Sequence, residues 1–214
     1  MSAAMGWSTQ QVARRIAADI PDGAYVNLGI GRPTDVANEL PDDKEILLHS
    51  ENGILGMGPG APEGEEDWDL INAGKQPVTL ITGGSYFHHT DSFMVMRGGH
   101  LDVSVLGAFE VAMNGDLANW STGDMTRLPG VGGAMDLAVG AKKVYVSMTH
   151  TDPSGNSKLV RECRFPLTAM TVVDRVYTEL GVFAVTGDGF TAVDLAPGVA
   201  MDYVRSVTAA PISG

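Results

Sequence analysis

The chain has one cysteine, Cys163, in 214 residues, so no disulfide can close within it. A reducing, cytoplasmic setting is the expectation from that alone. No run approaches the ~20 consecutive apolar residues that a membrane helix needs. Met1 to Arg15 is mixed and polar, without the apolar centre of a secretory signal. Positive charge is also scarce: 14 Lys and Arg stand against 26 Asp and Glu, a formal net charge of −12. That removes the basic face on which non-specific nucleic-acid binding depends, so neither nucleic acid nor membrane is an expected partner. An acidic protein can still hold a local cationic pocket, so an acidic substrate stays open.

Several catalytic signatures are missing as well. Gly29-Ile30-Gly31 is only GxG, with no GxGxxG and no suitably placed ribose-binding acid, and there is no GxxxxGK[ST] phosphate loop. HExxH and cysteine pairs are absent, so a resident metal is not expected. His88 and His89 are adjacent, which in a strand would send them to opposite faces. A GxSxG elbow is lacking, and nothing around Cys163 marks a catalytic thiol. Neither a repeat nor a low-complexity linker divides the chain, so residues 1–214 are expected to form a single domain.

Glycine is plentiful, at 27 residues, and apolar residues make up 44%, enough for a full core. Ser8-Thr9-Gln10-Gln11 is a capping box, and Val12, Ile16 and Ile20 give the following helix one apolar face. Strands are expected at 25–28, 45–49, 78–82, 101–106 and 144–148. Short helices are expected from Pro33 to Leu40, from Thr90-Asp91 to Arg97 and from Ala134 to Val139. Asn114-Gly115 and Gly187-Asp188-Gly189 punctuate two hairpins. The recurring unit of strand, glycine turn and helix predicts an α/β fold. Its sheet would be mostly parallel and flanked by helices, with antiparallel hairpin additions.

One stretch combines these features: His49-Ser50-Glu51-Asn52-Gly53-Ile54-Leu55-Gly56-Met57-Gly58. A lone carboxylate follows the apolar run Ile46-Leu47-Leu48, and Gly53, Gly56, Gly58 and Pro59 are expected to prevent a long regular element after it. Glycine turns at 29–31, 53–58 and 130–133 would gather at the carboxyl ends of a parallel sheet, where ligands bind. Asn27, Lys75 and a backbone N–H at Gly133 are candidate donors around Glu51. One carboxylate with donors suits nucleophilic acyl chemistry. On these residues alone a cap or a salt-bridge partner is the simpler explanation of Glu51.

The string from Ser50 to Pro59 resembles the SENG signature of the B (β) subunits of class I CoA-transferases. The likeness continues through Asn27-Leu28-Gly29-Ile30-Gly31, Asp69-Leu70-Ile71-Asn72-Ala73-Gly74-Lys75 and Met96-Arg97-Gly98-Gly99-His100-Leu101-Asp102. It extends to Gly115-Asp116-Leu117-Ala118-Asn119-Trp120 and Gly132-Gly133-Ala134-Met135-Asp136-Leu137. The resemblance implies a CoA-transferase-like fold, similar to the sugar-phosphate isomerase type. Its implied reaction moves CoA from an acyl-CoA, succinyl-CoA, to a 3-oxo acid, with 3-oxoadipate as the expected acceptor and acetoacetate the alternative. A non-catalytic ligand-binding module is the competing class. In the family pattern Glu51 is the nucleophile that becomes a glutamyl-CoA thioester, and Asn27, Lys75 and Gly133 line its site. CoA is a substrate, so no cofactor is expected, and a separate A subunit is the implied partner. Arg32 departs from the small or apolar residue usual at its position. It is a candidate for the second carboxylate of a dicarboxylic acid, with His88 and His89 as further substrate-binding candidates.

Overall fold

In a computed structural model of the chain, residues 6–124, 126 and 130–214 are described. The first half runs α1 (Thr9–Asp19), β1 (Tyr25–Leu28), a 3-10 helix (Arg32–Asn38), β2 (Leu47–Ser50), β3 (Ile54–Gly60), β4 (Val78–Tyr86), α2 (His89–Arg97) and β5 (Val103–Leu106). The second half runs β6 (Glu110–Ala112), β7 (Leu117–Ala118), α3 (Ala134–Gly140), β8 (Lys143–Ser147), β9 (Leu159–Val160), β10 (Val173–Tyr177), β11 (Gly181–Val185), β12 (Phe190–Leu195), α4 (Met201–Ser206) and β13 (Ile212–Ser213).

Among the described residues ten strands make one sheet, in the order β13-β12-β11-β10-β8-β5-β1-β2-β3-β4. Its centre, β10-β8-β5-β1-β2, is parallel throughout. Antiparallel pairs flank it, β2-β3-β4 on one side and β10-β11-β12 on the other. A parallel core with hairpin edges is the α/β architecture expected from the strand, turn and helix pattern. Strands β7, β6 and β9 form a small second sheet. Among the described residues no helix is long and apolar enough to cross a membrane.

The capping box of α1 is complete: Ser8 Oγ accepts from the Gln11 N–H, and the Gln11 side chain accepts from the Ser8 N–H. Ile16 and Ile20 are fully buried, each contributing about 1.5–3 kcal/mol of apolar transfer. The central strands alternate between two faces. Val26, Leu28, Leu48, Val103, Val105 and Tyr145 join the apolar cluster around α1. Leu106, Val144 and Val146 face Met96 of α2 and Leu137 of α3. That second face also carries a row of polar residues in register, with Asn27 beside His49 on one side and Ser104 on the other.

Glycine does not end the regular structure where the sequence predicted. β3 follows the Glu51 turn at once and runs seven residues, and β4 continues through Gly83-Gly84 to Tyr86. The β3–β4 register shifts twice. At one shift Gly56 takes φ +81°, and a Cβ there would lie 2.9 Å from the Gly84 Cα. These glycines build bulges within a ribbon, where backbones approach closely, and do not terminate it. Strands β9, β10 and β13 and helix α4 carry no local punctuation strong enough to predict them. β9 pairs with β6, and β10 with β8 on one side, well before them in the sequence.

Candidate active site

The chain passes from β1 to β2 on one side of β1, and later to β5 on the other. The gap between the ends of β1 and β5 is therefore a switch point, the place where open α/β sheets hold ligands. A cavity of about 490 Å³ opens there. Its walls are the carboxyl ends of β1, β5 and β8, through Leu28, Leu106 and Ser147, with the turn after β2 and the Gly130–Ala134 segment ahead of α3. The glycine turn predicted at 130–133 forms part of this wall.

Glu51 sits on the three-residue turn between β2 and β3. Ser50 pairs with Ile54, and the Gly53 N–H donates to the Ser50 carbonyl at 2.9 Å. Gly53 takes φ +115°, and a Cβ there would overlap the Phe87 carbonyl oxygen, so no other residue fits. Neighbouring side chains anchor the turn. Ser50 Oγ accepts from the Ala73 N–H at 3.0 Å, and Asn52 Nδ2 donates to the Ile71 carbonyl at 2.7 Å. The Ser-Glu-Asn-Gly string thus has a mechanical reading, in which its first, third and fourth residues hold the second at the cavity wall.

The Glu51 carboxylate is half-buried, and among the described residues no cation stands within ion-pair distance of it. Burial pushes its pKa above 4.5, against the opposing pull of His89 and of the Gly133 N–H, while Asp136 adds to the rise. Gly133 closes on the carboxylate so tightly that a Cβ there would overlap Glu51 Oε2. An ionised carboxylate short of partners, with a backbone donor at its side, is a group prepared to attack an acyl carbon.

Asn27 also lines the cavity. Its Nδ2 lies 3.1 Å from the His49 carbonyl and 3.0 Å from His49 Nδ1. The carbonyl can only accept, so it fixes the amide orientation, and His49 Nδ1 must then accept too. His49 Nε2 accordingly carries the proton and donates to Ser92 Oγ at 2.9 Å. Burial holds the His49 pKa down at about 4, so the ring is neutral at pH 7. With both N–H groups committed to His49, Asn27 presents an acceptor to the cavity, whereas its sequence context suggested a donor. His49 is not singled out by the sequence because its role depends on strand register.

The remaining predicted residues separate. Arg32 lines the cavity and donates to Thr9 Oγ1 at 2.9 Å. Lys75 does not line it. It is exposed, at φ +63° in the Asn72–Gln76 turn, whose Ala73 is the residue that reaches the wall. His88 and His89 are not strand residues. His88 caps α2, its Nδ1 accepting from the Thr90 N–H at 3.2 Å, and His89 is exposed at the first position of that helix. His89 influences the Glu51 charge from outside the cavity. Lys158, which no sequence motif marks, is in the wall. Among the described residues no group of three His, Cys, Asp or Glu side chains is placed to hold a metal.

Fold and cavity together define an α/β protein that presents, at the switch point of its sheet, one carboxylate with no cation partner among the described residues. Comparison with known proteins gives that class a family. The family model described as coenzyme A transferase matches residues 9–206. The B subunit of 3-oxoadipate CoA-transferase from Pseudomonas putida is 58% identical over 96% of either chain. The B subunit of succinyl-CoA:3-ketoacid coenzyme A transferase from Helicobacter pylori is 47% identical over 94% of this chain and 96% of its own. The chain belongs to the coenzyme A transferase family. Among solved structures, the acyl-CoA transferase YdiF apoenzyme from Escherichia coli O157:H7 superimposes with a TM-score of 0.74 at 22% identity. The match covers all of this chain and 43% of that one, a likeness of fold.

Proposed function

We propose that the protein is the B subunit of a cytoplasmic CoA-transferase that moves CoA from succinyl-CoA to 3-oxoadipate. In this reading residues 1–214 act as one catalytic domain beside a separate A subunit. The observation that carries it is the half-buried Glu51 carboxylate, without a cation partner among the described residues, against the Gly133 N–H in the switch-point cavity. The 58% identity to a protein named for 3-oxoadipate supports the acceptor.

The Glu51 carboxylate attacks the thioester carbonyl of succinyl-CoA. The C–S bond breaks, CoA thiolate leaves, and a mixed anhydride of Glu51 and succinate remains. The thiolate then attacks the glutamyl carbonyl. The C–O bond to succinate breaks, succinate leaves as carboxylate, and Glu51 carries CoA as a thioester. 3-Oxoadipate takes the same two steps in reverse and departs as its CoA ester, restoring the Glu51 carboxylate. No net proton is consumed. Glutamate is a weak nucleophile, so the rate comes from positioning and partial desolvation, which the anchored turn and the raised pKa supply. The Gly133 N–H would face charge that develops on the glutamyl oxygen. Arg32 suits the distal carboxylate of a six-carbon 3-oxo diacid, since guanidinium pairs with carboxylate through two parallel hydrogen bonds.

The test is to co-purify the chain with its A subunit, assay 3-oxoadipate and acetoacetate against succinyl-CoA, and treat the acyl-CoA-loaded complex with borohydride or hydroxylamine. A mass shift on Glu51 together with exchange supports the reading. No adduct and no exchange at saturating acyl-CoA would instead assign a ligand-binding module.

A further inference from the structure

In this acidic protein most basic side chains are neutralised. Arg14, Arg15, Arg97, Lys142, Lys143, Arg164, Arg175 and Arg205 each lie within 3.1 Å of a carboxylate. Arg32 and Lys158 have no such partner among the described residues, and both line the Glu51 cavity. Their charges act on one another: burial first, and then Arg32, bring the Lys158 pKa down to about 8. Two like charges set together in a partly buried place cost stability unless an anion completes them.

The position of Lys158 is fixed by its backbone. Its N–H donates to the His150 carbonyl at 3.0 Å, and its carbonyl accepts from the Val111 N–H at 2.9 Å. The acids that act on it from a distance are engaged elsewhere. Both Glu179 oxygens accept from the His150 N–H, at 3.2 and 3.1 Å. Asp152 accepts from the Ser154 and Asn156 N–H groups and from Asn156 Nδ2, each at 2.8 Å. The fold therefore brings a second cation to the cavity with no carboxylate at ion-pair distance among the described residues.

We infer that Lys158 and Arg32 together form a cationic pole that holds the distal carboxylate of the acid in the Glu51 cavity, making Lys158 a specificity-determining residue. This rests on the CoA-transferase reading above and adds a residue to it. Donor and acceptor of that reaction, succinyl-CoA and a 3-oxo diacid, react at one end, through a thioester and a carboxylate respectively, and each bears a free carboxylate at the far end. One pole can serve both in turn. The phosphates of CoA are the other anions that could reach such a pole, and they would be common to every acyl-CoA.

The experiment uses the assembled complex with K158Q and K158R. K158Q is expected to raise KM for 3-oxoadipate by about 10- to 100-fold, the worth of a charge-assisted hydrogen bond. It should change KM for acetoacetate, a monocarboxylate, by less than about threefold, with K158R recovering most of the loss. Equal losses on both acceptors, accompanied by a higher KM for acetyl-CoA and succinyl-CoA alike, would assign Lys158 to CoA phosphate and overturn the inference. So would no change on either acceptor. A binding measurement separates this from the function itself. Acetylation of Lys158 by acetic anhydride, followed by mass spectrometry, should be slowed by adipate and not by butyrate, and in R32Q adipate should protect less. A wild-type complex inactive on every 3-oxo acid defeats the transferase reading. Absence of adipate protection defeats the cationic pole.

Discussion

Glu51 and Glu110 are both glutamates withdrawn from solvent beside strand ends, and they have been given opposite circumstances. Glu110, in β6, is 1% exposed. Its Oε1 accepts from Arg164 Nε at 2.7 Å and Nη2 at 2.6 Å, and its Oε2 accepts from the Arg164 N–H at 2.7 Å. Every strong demand of that carboxylate is met, and it joins the 160s segment to the small sheet. Glu51 has no cation at ion-pair distance among the described residues, and its charged form is disfavoured by burial. Burial alone therefore does not mark a reactive acid. The mark is burial without compensation, maintained by a turn that other contacts over-determine.

The comparison can be broken most directly by exchanging each acid for its amide. In the assembled complex E51Q should lower transfer by at least about 10³-fold and abolish the trapped adduct. E110Q should leave the adduct intact. A comparable loss from both variants would erase the distinction. The Gly133→Ala variant comes next. The added methyl overlaps Glu51 Oε2 while the backbone, at φ −85°, tolerates it. A fall in kcat of about 10²-fold with Tm nearly unchanged is expected. An unaltered kcat would show that Gly133 does not touch the chemistry.

E110Q carries its cost in stability. Breaking a fully buried pair costs about 3–5 kcal/mol. Arg164 is 62% exposed, so about 2 kcal/mol is expected here, measured by urea unfolding. The smallest effect concerns pH. The folded-state pKa of Glu51 is raised, so the stability it contributes is present below 4.5 and lost as pH rises through the folded value. E51Q should therefore melt slightly higher than wild type at pH 7, by on the order of 1 °C, and the gap should close below pH 4.5. Because attack requires the carboxylate, the acid limb of the kcat profile should have its midpoint above 4.5. A limb at or below that value would place Glu51 in ordinary solvent.

Much of the fold could be read from local signals. Ser8 and Gln11 announced α1, the glycine after Leu28 closed β1, and Gly187-Asp188-Gly189 marked the β11–β12 hairpin. Local signals failed where glycine served a bulge and not a stop, at Gly56 and Gly84. Nothing within a few residues reveals that two backbones will approach across a ribbon. Lys75 is a different case. Its motif does meet the site, but through the Ala73 N–H on Ser50 Oγ, while the lysine itself turns outward.

By itself the sequence determined the Glu51 turn, because a positive φ at Gly53 and the side-chain hydrogen bonds of Ser50 and Asn52 are demands that nearby residues can state. It also determined the family, through ordered motifs spread along the chain. Only the tertiary structure decided what surrounds that carboxylate. The tie from Asn27 to His49 and Ser92, the Gly133 backbone against Glu51, and the placing of Arg32 and Lys158 in one cavity all arise from parallel strand register and from the crossing at β1. These place distant residues at the carboxyl ends of the central strands, where exclusion of water and scarcity of partners, neither visible in a string of letters, set the chemistry.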